Sequence, residues 1–373
     1  MKCLHICNDF SLTKVHKNLY SNFDAEGMTQ IVYNPVRDTT PIGNNTIDFT
    51  DKESEIVYSK KIKKYHKVFF RNKMNYLFRD LKKKVELNTV QLVHATTFFT
   101  DGALALKVHQ EFGTPFIVAV RGTDISVFLR LRPDLRGLAF KIIKKAAKII
   151  FISNSLRTAF AEHRLLASKK NEILEKSVLI YNGIDDFWLD NRNASKRVAP
   201  NCILYVGRFI PTKNIQNLIA AIGVLRDEGQ DLFLNLVGAG GEEESIIKQK
   251  SKENANFVQY MGAVRDKEKL REVYGNNAIF AMPSSAETFG LVYIEALSQG
   301  LPILYNEAQG VDGVFPDGSV GEKCDGTDLD SVIAALRKII VNYHIYGMEN
   351  INFDQFYWSK IAKKYIQLYE KVL

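Results

Sequence analysis

The sequence predicts an α/β protein built from parallel βαβ units and divided into two domains. Three observations carry this reading. The chain has 373 residues, enough for two cores of ordinary size. Short apolar runs bounded by turn residues alternate with helix-period segments. They include Cys3–Cys7, Val90–His94, Phe116–Val120, Ile149–Ser153, Val178–Tyr181, Ile203–Val206, Leu232–Val237 and Phe257–Met261. The stretch Ala278–Tyr305 reads as one complete unit. An apolar strand, Ala278–Met282, breaks at Pro283-Ser284-Ser285. Leu291, Val292, Ile294 and Leu297 then recur at helical spacing, Gly300 and Pro302 stop the helix, and a second strand follows. Such a unit places its loop and helix start at the carboxyl edge of the sheet, where ligands bind.

Composition narrows the class. Hydrophobic residues make up 46% and charged residues 25% of the chain, the balance of a soluble globular protein. No run of about 18 apolar residues is present, so no membrane-spanning helix is expected. The start, MKCLHICNDF, has too short an apolar part for a signal peptide and reads as a first strand. Cys3, Cys7, Cys202 and Cys324 lack metal-ligand spacing; a reduced, cytoplasmic chain with no metal site is expected. The formal net charge of +8 favours anionic partners: nucleic acid, anionic lipid or phosphorylated substrates. No repeats or low-complexity segments occur.

The loop after Met282 supplies a carboxylate, Glu287, and then Gly290. Backbone N–H groups of Phe289, Gly290, Leu291 and Val292 can face an anion there. Glu295, about one turn into the helix, can project back to the same edge. Two carboxylates and an anion-binding helix start suit a ligand with both hydroxyls and phosphates, such as a sugar nucleotide. The alternative is an ordinary helix with a Glu near its start and another on its surface. Earlier, Ile203–Val206 leads into GRFIPTKN, with Arg208 and Lys213 on a strand-end loop and a helix start. Both can reach one pyrophosphate. Gly238-Ala239-Gly240-Gly241 is followed by Glu243 where a dinucleotide fingerprint needs its third glycine, so it reads as a turn and a cap.

Glu287 and Glu295, with seven residues between them in PSSAETFGLVYIEALSQGLPIL, resemble the E-x7-E segment of retaining GT-B glycosyltransferases, family 4. Gly207-Arg208…Lys213 is similar to that family's G-R-x4-K segment. The resemblance implies the GT-B fold: two Rossmann-like domains facing a central cleft, with a C-terminal helix crossing back to the N-terminal domain. It places an acceptor-binding domain at 1–184, joined by the final helix 353–373, and a donor-binding domain at 185–352. It implies metal-independent transfer, with retention, from a nucleoside-diphosphate sugar of UDP or GDP type, a substrate rather than a cofactor. The acceptor would be a saccharide or lipid-linked saccharide, and family habit points to cell-surface polysaccharide assembly. Glu287 would hold donor-sugar hydroxyls, Glu295 ribose hydroxyls, and Arg208 and Lys213 the leaving diphosphate. Val264 and Arg265 would lie against the base.

The sequence departs from the family pattern at named places. The loop Asn8–Lys17 has Ser11, Leu12, Thr13 and Lys14 where paired glycines are usual; Thr13 and Lys14 would face the acceptor or lie in solvent. His94 keeps one family histidine, but Thr96 stands at the second. Arg121 stands at the usual reaction-centre histidine. A guanidinium only donates hydrogen bonds, so Arg121 would hold donor or acceptor, or pair with Asp124. Asn214 replaces a glycine, and Glu307–Gly313 replaces Gly-Gly-x2-Glu. Asn182–Asp185 resembles the segment that opens the hinge, and polar Asp190–Asn201 reads as the linker.

Lys60–Lys84 is dense in lysine and arginine interleaved with aromatics, predicting one or two amphipathic helices with basic faces. Three readings are open: a solvated helix face, a peripheral contact with anionic membrane on its inner side, or nucleic-acid binding. No motif supports the last. Two other functions stay open: a non-catalytic GT-B-like binding subunit, or a glycoside hydrolase using both glutamates, which leaves Arg208 and Lys213 without a role.

Overall fold

The computed structural model describes residues 1–193 and 199–373, apart from the side chain of Lys67. The middle of the linker expected over Asp190–Asn201, residues 194–198, lies outside the described residues. The chain divides into two compact units. The first comprises Met1–Ile152, Leu156–Gly183 and Trp358–Leu373; the second comprises Ser153–Ser155 and Ile184–Tyr357. Each is a wholly parallel sheet flanked by helices, a Rossmann-like arrangement. Among the described residues no helix is long and apolar enough to cross a membrane.

The first sheet contains β1 (Lys2–Ile6), β2 (Thr29–Asn34), β3 (Glu55–Tyr58), β4 (Leu92–Ala95), β5 (Phe116–Ala119), β6 (Lys148–Phe151) and β7 (Ser177–Leu179). Their spatial order is β3-β2-β1-β4-β5-β6-β7. The central strands β4 and β5 are buried along their length, as strands covered on both faces must be. The sheet is entered through helix Lys14–Ala25, whose His16, Leu19, Tyr20 and Phe23 are buried at helical spacing. Helix Thr100–Phe112 ends at Gly113 in the left-handed conformation, φ 76°.

The chain returns to this unit at its end. Helix Trp358–Glu370 buries Trp358, Ile361, Ala362, Tyr365, Leu368 and Tyr369, packing on helix Lys14–Ala25. It begins later than the expected Phe353. Asn352 first caps a separate tight turn, Phe353–Phe356, by accepting from the Asp354 amide, and extended Tyr357 breaks the helix.

The second sheet contains β8 (Cys202–Val206), β9 (Phe233–Val237), β10 (Val258–Gly262), β11 (Ile279–Met282), β12 (Ile303–Asn306) and β13 (Gly321–Cys324). The order is β10-β9-β8-β11-β12-β13. Helix Leu291–Ser298 joins β11 to β12, the predicted unit. Helix Leu329–Val341 covers the sheet through Val332, Ala335, Leu336 and Ile339.

Besides a surface ion pair from Lys363 to Glu26 at 3.4 Å, the closing helix makes a buried polar contact, the Tyr369 hydroxyl with His94 Nδ1 at 2.8 Å. Tyr369→Phe removes it and should cost about 1–3 kcal/mol of stability, because a buried ring nitrogen loses its partner. Ile361→Ala on the same helix should cost about 2–5 kcal/mol. Chemical denaturation followed by near-UV dichroism checks both; an unchanged midpoint for Ile361→Ala would show the helix does not support this core.

Candidate active site

Strand order decides which loops can meet. In the second sheet β8 lies beside β11, and the chain winds outward from each in opposite directions. The loops after β8 and β11 therefore adjoin at the carboxyl edge, the topological switch point of such a sheet. Hydrogen bonds stitch them together. The Ser285 N–H donates to the Thr212 carbonyl at 2.8 Å, and the Ser284 hydroxyl to the same oxygen at 3.2 Å. The Asn214 side-chain amide donates to the Pro283 carbonyl at 2.7 Å. Asn214 itself has φ 52°, the left-handed region that asparagine tolerates.

This stitching brings Lys213 Nζ to 2.6 Å from Glu287 Oε2. The two side chains are only 14% and 17% exposed, so solvent screens their attraction less than at a surface. The backbone of Glu287 is fixed too. Its carbonyl accepts from Gly310 N–H at 3.0 Å, and its N–H donates to Gln309 Oε1 at 3.1 Å. Gly310 has φ 51°, and a Cβ there would lie 2.9 Å from Glu287 Cγ. The divergent segment Glu307–Gly313 is thus the platform that holds Glu287.

Helix Leu291–Ser298 starts from Gly290, φ 77°, where a Cβ would stand 2.5 Å from the Tyr293 ring. The Tyr293 hydroxyl bonds to the Met282 carbonyl and locks the helix start to the end of β11. The amides of Leu291 and Val292 have no acceptor among the described residues, as first-turn amides normally lack one. The Phe289 side chain is buried against Phe356. Only its main chain can serve a ligand.

Arg208 is exposed and forms no ion pair among the described residues. Its carbonyl accepts from the Tyr205 hydroxyl at 2.7 Å. Burial above all pushes that phenol's pKa up, the Glu287 carboxylate acts in the same direction and the Arg208 charge opposes. The glycine run after β9 lets two loops touch. A Cβ at Gly241 would fall 2.1 Å from the Phe209 carbonyl, and the Glu244 carboxylate accepts from Gly240 N–H at 2.7 Å. It is a turn and a cap.

Glu295 is half-buried. Burial pushes its carboxyl up to about 7; the Asp185 carboxylate acts in the same direction, while the Tyr274 hydroxyl and Lys267 oppose. Lys267 is itself paired with Asp185. Val264 is half-buried and Arg265 exposed in the loop before helix Lys267–Gly275, which Asp266 caps through the Lys269 amide at 2.9 Å. Among the described residues no group of three or more His, Cys, Asp or Glu could hold a metal ion.

The first unit has its own switch point, between β1 and β4. The Asn8 amide donates to Asp101 Oδ2 at 3.0 Å and to Thr97 Oγ1 at 3.2 Å, and burial pushes the Asp101 carboxyl up to about 7. Arg121 Nε–H donates to the Thr96 carbonyl at 3.1 Å, and its Nη1 is buried without an acceptor. The ion pair with Asp124 is not formed. The Asp124 carboxylate instead accepts backbone N–H groups of Arg121, Phe98 and Phe99 at 2.8, 3.0 and 3.1 Å.

Three acceptor-side expectations are corrected. His94 is 1% exposed and held by Tyr369; burial keeps its imidazole neutral, so it is a core residue rather than an acceptor contact. Thr13 spends its hydroxyl on the N-cap of helix Lys14–Ala25, accepting from Val15 N–H at 3.3 Å. The loop expected to reach Lys17 ends there, and exposed Lys14 begins the helix. Sequence reasoning missed Tyr205, Gln309, Asn8 and Asp101. An Asn-Asp pair directly after a strand was the available signal for Asn8; the others carry none.

Residues 186–349 match the family model described as glycosyl transferases group 1. An uncharacterized glycosyltransferase of Methanocaldococcus jannaschii is 23% identical over 297 residues, 78% of each chain. Glycogen synthase of Mycobacterium tuberculosis is 25% identical and matched over 57% of its length, so this chain spans little more than half of that relative. Sucrose-phosphate synthase from Thermosynechococcus elongatus superposes with TM-score 0.73 at 18% identity, covering 100% of this chain and 98% of that one. An Anabaena protein, HepE, solved with UDP and glucose, superposes with TM-score 0.67 at 16% identity over 99% of both chains. The fold is GT-B, with a Rossmann-like domain in each unit. Over residues 186–349 the chain is similar to the group 1 glycosyl transferases.

The Gly290 geometry gives a direct check. Gly318 also has positive φ, 70°, but open space around its Cβ position. Gly318→Ala should cost about 1–2 kcal/mol from backbone strain alone. Gly290→Ala should cost a further 1–3 kcal/mol or so for displacing the Tyr293 ring. Equal losses in denaturant titrations would show that the ring moves freely.

Proposed function

We propose that the protein transfers a sugar from a nucleoside-diphosphate donor to a saccharide or lipid-linked acceptor, with retention and without a metal. The observation that supports this best is the placement of Lys213 against Glu287, with unpaired Arg208 beside the same Tyr205 ring. Departure of a diphosphate leaves negative charge on its oxygens and oxocarbenium-like charge on the sugar. Arg208, Lys213 and the free amides of Leu291 and Val292 stabilise the first without reorganising. Glu287, anchored by Gly310 and Gln309, holds sugar hydroxyls beside the reacting carbon. Lys213 holds that carboxylate in place when no donor is bound. Glu295 accepts two hydrogen bonds from the ribose diol once ionised, and Val264 and Arg265 flank the base. The UDP in the HepE structure favours uridine for the base. Arg121, with an unused buried N–H, is assigned to the acceptor. The relatives' range, which includes a Staphylococcus aureus capsular polysaccharide biosynthesis glycosyltransferase, fits a role in cell-surface polysaccharide assembly.

A thermal-shift panel of UDP, GDP and ADP tests the donor assignment, since a ligand that binds only the folded state raises the melting temperature. Arg208→Ala should weaken the stabilising nucleotide by about 2 kcal/mol, roughly thirtyfold in Kd. Glu287→Ala should abolish transfer and retain most nucleotide affinity; full turnover in that variant would refute its role.

Glu295 predicts a pH dependence. Its carboxyl titrates near 7; it is neutral below and ionised above. The ratio of UDP dissociation constants, Glu295→Gln over wild type, should be near one at about pH 6 and rise to about tenfold at about pH 8. The titration of UDP itself cancels in this ratio. A ratio that stays flat in calorimetry would remove Glu295 from the ribose site.

A further inference from the structure

The first unit carries an exposed patch that neither its core nor the candidate site uses. It is formed by two segments that leave carboxyl ends of parallel strands, residues 59–73 after β3 and residues 120–132 after β5. They meet where the Phe70 ring packs edge-on against Phe128 at 5.9 Å and the Arg132 guanidinium lies over Phe70. At their tips Val68 is 70% exposed, Leu131 64%, Phe69 57%, Tyr65 49% and Val127 43%. Single exposed apolar residues need no explanation; a concentration on two adjoining segments does. Between the segments opens a cavity of about 370 Å³, bounded by Val68–Asn72 on one side and by Arg132 and Asp134 on the other.

The rim is cationic. Lys63, Lys64, Arg71 and Arg130 are exposed and form no ion pair among the described residues. Apolar tips ringed by unpaired cations complement anionic headgroups above acyl chains. A second copy of this chain would set like charges against each other, and a purely acidic partner would leave the apolar tips unmatched.

We propose that this face docks the protein onto an anionic phospholipid surface. Val68, Phe69 and Leu131 enter the headgroup layer, and a lipid phosphate is taken up by exposed Arg71, beside Arg132, whose guanidinium is already paired with Asp134. The proposal narrows the basic stretch Lys60–Lys84 and adds a second segment to it. Helix Phe70–Lys84 buries Met74, Leu77, Phe78 and Leu81, so its far lysines belong to a solvated face rather than to the docking surface. Arg121 stands at the start of the second segment, so the same strand edge that bears it faces the lipid. Docking does not depend on the transfer reaction, and its test needs no donor.

Co-sedimentation of the full chain with phosphatidylcholine vesicles, with and without about a third phosphatidylglycerol, decides the matter. Wild-type protein should sediment with the anionic vesicles only, less so as salt rises. The Phe69→Asp, Leu131→Asp double variant should lower partitioning by about tenfold or more at an unchanged melting temperature. Lys83→Glu, at the far end of the helix, should leave it within about twofold. Sedimentation of the double variant at wild-type level, or wild-type protein left in the supernatant with both vesicles, overturns the proposal.

Discussion

The site rests on one adjacency: β8 and β11 lie side by side although three helices and two strands separate them in the chain. That pairing makes the loops that follow them neighbours, and the Thr212 carbonyl then binds both Ser284 and Ser285. Everything distinctive nearby serves this closeness. Asn214 turns left-handed to reach Pro283, and the glycines at 290 and 310 remove side chains that would push Glu287 or Tyr293 aside. A lysine and a carboxylate are thereby held in contact at an edge that otherwise presents free amides and an unpaired arginine. Such an edge can take up a multiply charged, hydroxyl-rich ligand because its cations and its acceptors are already in place.

The first unit solves the same topological problem differently. Its switch-point carboxylates, Asp101 and Asp124, are fully buried; Asp124 and Oδ2 of Asp101 accept from neighbouring amides and hydroxyls, while Oδ1 of Asp101 has no partner among the described residues. Burial raises both carboxyls, to about 7 and about 6. They rigidify the loops after β1, β4 and β5 rather than offering charge to a ligand. What remains for a ligand is the partly exposed Arg121 and, further along the same loop, the apolar and basic tips of the exposed patch. The proposed donor site and the proposed docking patch thus lie in different units, each on loops at carboxyl strand ends.

Particular residues show how far the sequence could be read. The unit around β11 was legible because Pro283, Gly290, Gly300 and Pro302 punctuate an apolar pattern, and local physics alone dictates those breaks. Asn214 was legible for the same reason: a left-handed position after a turn admits few residue types. His94 and Thr13 were misread because burial and capping are set by partners far away or by a helix whose start was not recognised. Nothing in the residues around His94 announces Tyr369, 275 positions on. The Arg121–Asp124 pair failed through backbone competition. Three amides already converge on Asp124.

By itself the sequence determined the alternation of strands and helices, the identity of the two glutamates and two basic residues, and the turns that present them. These follow from side-chain period and backbone restriction, which act over a few residues. Only the tertiary structure decided which cation meets which carboxylate, which histidine is buried, and that residues 65–69 and 127–131 share one surface. Those outcomes depend on strand order and helix packing, which bring together groups that the chain separates by tens to hundreds of positions.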